Sequence, residues 1–214
     1  MNQELQKARR RMVEDQIVAR GVTEQNVINA MLSVERHEFV PENLKAYAYC
    51  DQPLPIGSGQ TISQPYIVAL MTELLNVGSA DTVLEIGTGS GYQAAVLSRI
   101  VSHVYTIEIV EPLASAAEQR LRSLGYENIT VRSGDGYEGW PEFSDFQGII
   151  ITAAPPRIPG PLLDQLAVGG TMVVPVGDAF QELQVITRQD TGYHKKRSIP
   201  VRFVPMVGKI QDSP

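Results

Sequence analysis

The 214-residue chain predicts an α/β fold with a doubly wound, mostly parallel sheet, and three observations carry that expectation. From residue 66 to residue 177, apolar strand-like runs alternate with helical patterns. The first run, Thr82 to Ile86, ends in glycines at every second position: Gly87, Gly89 and Gly91. That pattern is a strand, a tight turn and a helix, with the turn at the carboxyl end of a sheet, where such folds meet ligands. The tail then alternates over 182–187 and 199–207 about a turn at Asp190-Thr191-Gly192, which reads as an antiparallel hairpin.

Taken in order, the elements begin with helices. Leu5, Met12, Val13, Ile17 and Val18 share one face, and Gly21 follows as a C-terminal cap. Thr23 is the expected N-cap of a second helix through Val27, Met31 and Leu32. Pro41 opens a third, shorter helix over 42–49. Residues 51–65 are rich in proline, glycine and hydroxyls and read as a long irregular segment of the functional kind. A helix over 66–75 leads into the strand at 82–86, and another helix, 92–100, follows the glycine turn. The next strand, 103–107, ends at Glu108, and Pro112 opens a helix that runs to Leu124. Strands at 129–132 and 148–152 come next, the second a continuous apolar run of the buried parallel kind. A helix over 162–167 ends at Gly169-Gly170, and 171–176 is a further strand. One domain over 1–214 is expected, divided into N-terminal helices and loop (1–65), core (66–177) and C-terminal hairpin and tail (178–214).

Composition narrows the function classes. Net charge is −6, which leaves no electrostatic footprint for nucleic acid. Arg9-Arg10-Arg11 and Lys195-Lys196-Arg197 are short and far apart, and read as solvated faces. The single cysteine, Cys50, reads as a buried structural thiol and fits a reducing compartment. No signal peptide and no apolar run of about 18 residues is present, so a cytoplasmic protein without a membrane partner is expected. His37, His103 and His194 are scattered and form no metal-spaced pair, so no metal is expected.

The spacing of the glycine turn selects a ligand class. A dinucleotide fingerprint has two residues in its second gap, so that a pyrophosphate can sit on the helix N-terminus. Here the second gap holds one residue, and Glu85 sits just before the turn. An anion there repels a pyrophosphate and suits a cationic ligand such as S-adenosyl-L-methionine. Glu108, 17 residues after Gly91, can accept hydrogen bonds from both ribose hydroxyls of an adenosine; its other reading is a solvated carboxylate at a strand end. Asp135, between Gly134 and Gly136, can take the adenine amino group, or can be a plain Asp-Gly turn. Ser63 precedes Gln64-Pro65 and a helix, and on the residues alone it reads as the N-cap of that helix.

At Leu54-Pro55-Ile56-Gly57, Gly59-Gln60-Thr61-Ile62-Ser63-Gln64-Pro65 and Glu85-Ile86-Gly87-Thr88-Gly89-Ser90-Gly91-Tyr92 the chain resembles the protein-L-isoaspartate (D-aspartate) O-methyltransferases. Gly134-Asp135-Gly136, Pro175-Val176-Gly177 and Arg202-Phe203-Val204-Pro205 continue the match, which covers nearly the whole chain. One departure is Phe146-Gln147, where the family often has an aromatic followed by Asp. The resemblance implies the class I S-adenosyl-L-methionine-dependent methyltransferase fold and that cofactor. It also implies damaged isoaspartyl (and D-aspartyl) peptides and proteins as partners, and methylation of their free carboxylate. By it, Ser63 is the active-site serine, with Thr61, Ile62 and Val204 on the substrate side. Glu85, Gly87, Gly89, Gly91, Glu108, Asp135 and Gly136 are on the cofactor side. A monomer is expected. Rival readings are a methyltransferase of small carboxylates, a base or amide nitrogen methyltransferase, and a non-catalytic nucleotide-binding module. The nitrogen reading wants Asn/Asp-Pro-Pro-aromatic after the fourth strand, where this chain has Ala154-Pro155-Pro156-Arg157.

Overall fold

A computed structural model describes residues 2–209. The chain opens with the helices α1 (Asn2–Arg11) and α2 (Gln25–Ser33), followed by a hairpin of β1 (Leu54–Gly57) and β2 (Gln60–Ile62). Then come α3 (Pro65–Leu75), β3 (Thr82–Ile86), α4 (Tyr92–Ser98), β4 (His103–Glu108), α5 (Glu111–Ser123) and β5 (Ile129–Ser133). The last elements are β6 (Phe146–Ile151), α6 (Gly160–Asp164), β7 (Leu166–Val176), β8 (Gln181–Gln189) and β9 (Gly192–Val201). Seven strands form one sheet in the order β5-β4-β3-β6-β7-β8-β9. The first five run parallel, and β8 and β9 add to β7 as an antiparallel pair.

Each central strand is apolar on both faces, and successive residues feed different cores. Val83, Ile150 and Val173 pack with the N-terminal helices, α3 and α4, whereas Leu84, Ile149 and Met172 pack with Tyr137, Trp140, Leu162 and Met206. That double burial is why the parallel strands lack alternation. After β3 the chain winds outward to β4 and β5, then returns to β6 on the other side of β3. The crevice between the carboxyl ends of β3 and β6 is therefore the switch point at which such sheets bind ligands.

Several local expectations are corrected. After α1 the helix widens into a π segment (Met12–Ile17) and tightens into a 3-10 turn (Val18–Arg20), so Met12, Val13 and Ile17 are buried while Val18 faces solvent. Glu24, not Thr23, caps α2, its carboxylate accepting from the Val27 amide at 3.0 Å. The Thr23 amide instead donates to Glu73 Oε1 of α3 at 2.6 Å. Segment 51–65 contains the β1–β2 hairpin, turned through Ser58 and Gly59, both at positive φ. Helix α6 starts and stops earlier than expected, and Gly169-Gly170 lie inside β7 rather than ending a helix. Strand β9 begins directly after the turn at Asp190 and Thr191, so Val204 lies beyond its end. Cys50 is exposed, not buried. Arg9 is mostly buried and paired with Glu35, unlike the solvated side chain expected. No helix among the described residues is long and apolar enough to cross a membrane.

Candidate active site

The glycine turn joins β3 to α4 with Gly87, Gly89 and Gly91 at φ 96°, 53° and 87°, a region L side chains resist. The amides of Gly87 and Thr88 donate to the Ile107 carbonyl of β4, at 2.8 and 3.3 Å, which pins the turn to the neighbouring strand. Gly87 and Gly89 line a cavity at the switch point. Gly91 does not. It starts α4, and a Cβ there would lie 3.2 Å from Leu121 Cδ1, so its glycine serves the packing of α4 against α5.

Glu108 projects into that cavity from the end of β4. Its Oε2 accepts from the Gly89 amide at 2.8 Å and its Oε1 from the Val110 amide at 3.0 Å, so the carboxylate is fixed across the turn. Ile107, Ile109 and Val110 continue the wall in apolar side chains, and Gly136 faces them. A Cβ at Gly136 would collide with Ile86 Cγ2, which shows how closely the backbone there approaches the cavity floor. Asp135 caps the short turn Gly136–Glu138: Oδ1 accepts from the Tyr137 amide at 3.0 Å and Oδ2 from the Lys209 amide at 2.9 Å. Among this acid and its neighbour, Gly136 is the residue that lines the cavity. One fixed carboxylate, close backbone and apolar walls make a lining that combines a few placed polar groups with apolar surface, as small-molecule sites do.

Glu85 departs from its expected place. It is fully buried inside the sheet, and lines none of the cavities around the turn. Thr106 Oγ1 donates to its Oε2 at 2.5 Å, Thr106 bonds onward to Thr88 at 2.7 Å, and Oε1 has no partner among the described residues. Burial pushes its carboxyl up to about 8, with the charge of Glu108 adding to the effect. The acid expected at the turn lies beneath it, in surroundings that favour its neutral form.

The other half of the site comes from the chain ends. Ile56 of the β1–β2 hairpin reaches over the glycine turn, its Cδ1 3.3 Å from where a Gly89 Cβ would stand. Thr61 of β2 lines both this cavity and a second, larger groove of about 680 Å³. Ser63 lines that groove and the crevice that leads from it to Gly87 and Gly89. Ile62 also lines the crevice, and Val204 lines both cavity and groove. The end of β9 and the strap after it, 199–204, also line the groove. Gln181 holds the strap by accepting from the Phe203 amide at 2.6 Å and donating to its carbonyl at 3.1 Å.

Ser63 is not a helix cap. Proline at the first position of α3 holds the preceding Gln64 in extended backbone (φ −51°, ψ 138°) as the N-cap, with no side-chain cap bond. Ser63 is therefore one residue too early to cap, and its hydroxyl carries no hydrogen bond among the described residues, leaving it free at the crevice.

Several lining residues escaped the sequence reading, Thr152 and Arg20 among them. Thr152, at the end of β6, lines the cavity, the groove and the crevice, and its hydroxyl donates to the Gly87 carbonyl at 2.7 Å. Its position at a strand carboxyl end was the available signal. Arg20 lines the groove from the N-terminal 3-10 turn, with no local pattern to mark it.

A family model described as protein-L-isoaspartate(D-aspartate) O-methyltransferase matches residues 7–211. The chain belongs to this family. A Pelotomaculum thermopropionicum protein-L-isoaspartate O-methyltransferase is 57% identical over 203 residues, covering 94% of this chain and 89% of the relative. A Picosynechococcus relative of the same name is 54% identical over 94% of this chain and 90% of its own. A solved protein-L-isoaspartate O-methyltransferase superposes with TM-score 0.87 at 30% identity, over 94% of this chain and 66% of that one. A Plasmodium falciparum member, solved in complex with S-adenosyl-L-homocysteine, gives TM-score 0.79 at 26% identity, over 92% of this chain and 96% of that one. Family and fold thus agree with the class I methyltransferase architecture the sequence predicts.

Proposed function

We propose that this chain transfers a methyl group from S-adenosyl-L-methionine to the free carboxylate of L-isoaspartyl, and D-aspartyl, residues in damaged peptides and proteins. The carrying observation is that the cavity holding Glu108 and the larger groove share Thr61 and Thr152 as lining residues, with Ser63 in the groove and in the crevice that leads to Gly87 and Gly89. Glu108 holds the ribose hydroxyls, the backbone at Gly87 and Gly89 admits the amino acid portion, and Gly136 lets the adenine lie against the chain. Asp135 serves that last contact by fixing the turn, and Gly91 by setting α4 against α5. Glu85 supports the turn from beneath through Thr106 and Thr88. When bound, the cofactor supplies an electrophilic methyl on a cationic sulfonium.

The acceptor needs no general base, because a carboxylate with a reference pKa near ~3.5 is already ionised at neutral pH. What the chain must supply is alignment and exclusion of water. The Ser63 hydroxyl donates to the acceptor carboxylate without adding a charge that competes with the sulfonium. Thr61, Ile62 and Val204 close around it. The next backbone amide nitrogen of the substrate then attacks the methyl ester carbonyl and expels methanol, closing a succinimide whose hydrolysis by water returns part of the substrate to the normal linkage. A monomeric cytoplasmic protein is part of this reading; the single cysteine fits a reducing compartment, and a net charge of −6 leaves no electrostatic footprint for nucleic acid.

The test is methyl transfer to two peptides that differ only in an isoaspartyl or a normal aspartyl linkage. Methylation of the isoaspartyl peptide alone is expected, since the extra backbone methylene repositions the carboxylate. Equal rates on the two, or none on either, would overturn the reading.

A further inference from the structure

The acceptor groove carries a charge pattern that isoaspartyl recognition by itself does not require. Two arginines line it, Arg20 from the N-terminal 3-10 turn and Arg202 from the strap, and among the described residues no Asp or Glu lines it. In a chain of net charge −6, a cationic groove stands out from its surroundings.

The two arginines are held differently. Arg20 is set in place: its Cζ stacks 3.5 Å from the centre of the Tyr66 ring, and Nη1 pairs with Asp51 Oδ2 at 3.0 Å. Asp51 is itself anchored, accepting from Gln64 Nε2 at 2.7 Å through its other oxygen. Arg20 is therefore pre-oriented and its charge is balanced by Asp51, with its remaining N–H groups unused by any hydrogen bond among the described residues. Arg202 is exposed and makes no ion pair or hydrogen bond among the described residues. It lies next to Phe203, whose amide and carbonyl Gln181 holds, so its backbone is fixed while its charge is free.

The reacting end of the groove is marked by Thr61, Ser63 and Thr152, which it shares with the crevice. The acceptor carboxylate is expected there. A volume of about 680 Å³ exceeds what that one residue needs, so flanking residues of the substrate lie along walls that present positive charge. Arginine forks are suited to carboxylates, and complementary charge across a surface governs partner choice and encounter.

Resting on the isoaspartyl reading above, we propose that Arg202 and Arg20 select the flanks of the substrate, so that damaged segments with acidic neighbours are preferred over basic ones. The acceptor class is thereby narrowed to isoaspartyl residues in acidic stretches of chain.

The experiment compares kcat/KM for three isoaspartyl peptides that differ only in two flanking positions, filled by Glu, Gln or Lys. At about 0.01 M ionic strength the expected order is Glu over Gln over Lys, spanning about tenfold and residing in KM, the scale of a few partly exposed charge pairs. At about 1 M salt, where the screening length falls to about 3 Å, the order should collapse. Arg202→Glu, at an exposed position, should reverse the order at low salt. Equal rates for the three, a lysine preference, or an order that ignores both salt and Arg202→Glu would overturn the proposal while leaving isoaspartyl methylation standing. Methylation of none of them would overturn both.

Discussion

Glu85 and Glu108 sit on neighbouring strands and on the same face of the sheet, yet they are chemically opposite. Glu85 pairs in register with Thr106, so Glu108 lies two residues further along β4, one pleat repeat or about 7 Å nearer the carboxyl edge. That distance separates the floor of the glycine turn from its rim. At the rim, two backbone amides at 2.8 and 3.0 Å hold the Glu108 carboxylate in an open cavity. On the floor, burial leaves Glu85 a single threonine donor and pushes its carboxyl up to about 8. An acid near a glycine turn is thus a ligand group or a structural one according to its depth, which the sequence motif does not state.

Replacing the rim acid gives the largest expected effect on this contrast. Glu108→Ala should weaken S-adenosyl-L-methionine and S-adenosyl-L-homocysteine binding by about 1.5–3 kcal/mol, roughly 10- to 100-fold, as expected for hydrogen bonds to a charged group. Titration calorimetry on a variant shown by melting to be folded reads this directly. An unchanged affinity would remove Glu108 from the ribose role and break the contrast.

Replacing the floor acid gives a smaller effect of different form. Because the folded-state value of Glu85 lies above its ordinary 4.5, the folded protein holds a proton that the unfolded chain has lost between those values. Stability from this group is therefore full below about 4.5 and is lost as pH rises through about 8. Glu85→Gln has no such proton to lose. Its melting temperature should gain on that of the unaltered chain as pH rises from 5 to 8, by about 2–4 °C for each kcal/mol that the bound proton contributes. Parallel pH profiles would show that Glu85 is charged in the fold after all.

Legibility divides along a different line, between the cofactor half and the acceptor half. The cofactor half is written locally: Glu108 ends a strand, Gly87, Gly89 and Gly136 follow strands, and strand carboxyl ends share one edge of the sheet. Those positions were readable, as was the hairpin turn at Asp190-Thr191-Gly192. The acceptor half is assembled from the 3-10 turn at Arg20, the hairpin at Thr61 and the strap at Arg202, segments brought together only by the packed fold. Arg20 had no local signal for that reason. Ser63 was misread as a cap because serine before a helix usually is one; Pro65 at the first helical position displaced the cap to Gln64. The β9 boundary slipped because exposed, charged residues 194–198 form an edge strand without apolar alternation.

The central claim is that the acceptor carboxylate is held by the free Ser63 hydroxyl where groove and cavity meet. Single-turnover methylation of an isoaspartyl peptide by Ser63→Ala tests it most directly. Since Ser63 caps nothing, the variant should keep its stability within about 0.5 kcal/mol and its cofactor affinity. Its methyl-transfer rate should fall about 10- to 100-fold, the worth of one oriented hydrogen bond to a charged group. A folded, cofactor-binding Ser63→Ala enzyme that transfers methyl at the unaltered rate would contradict the claim.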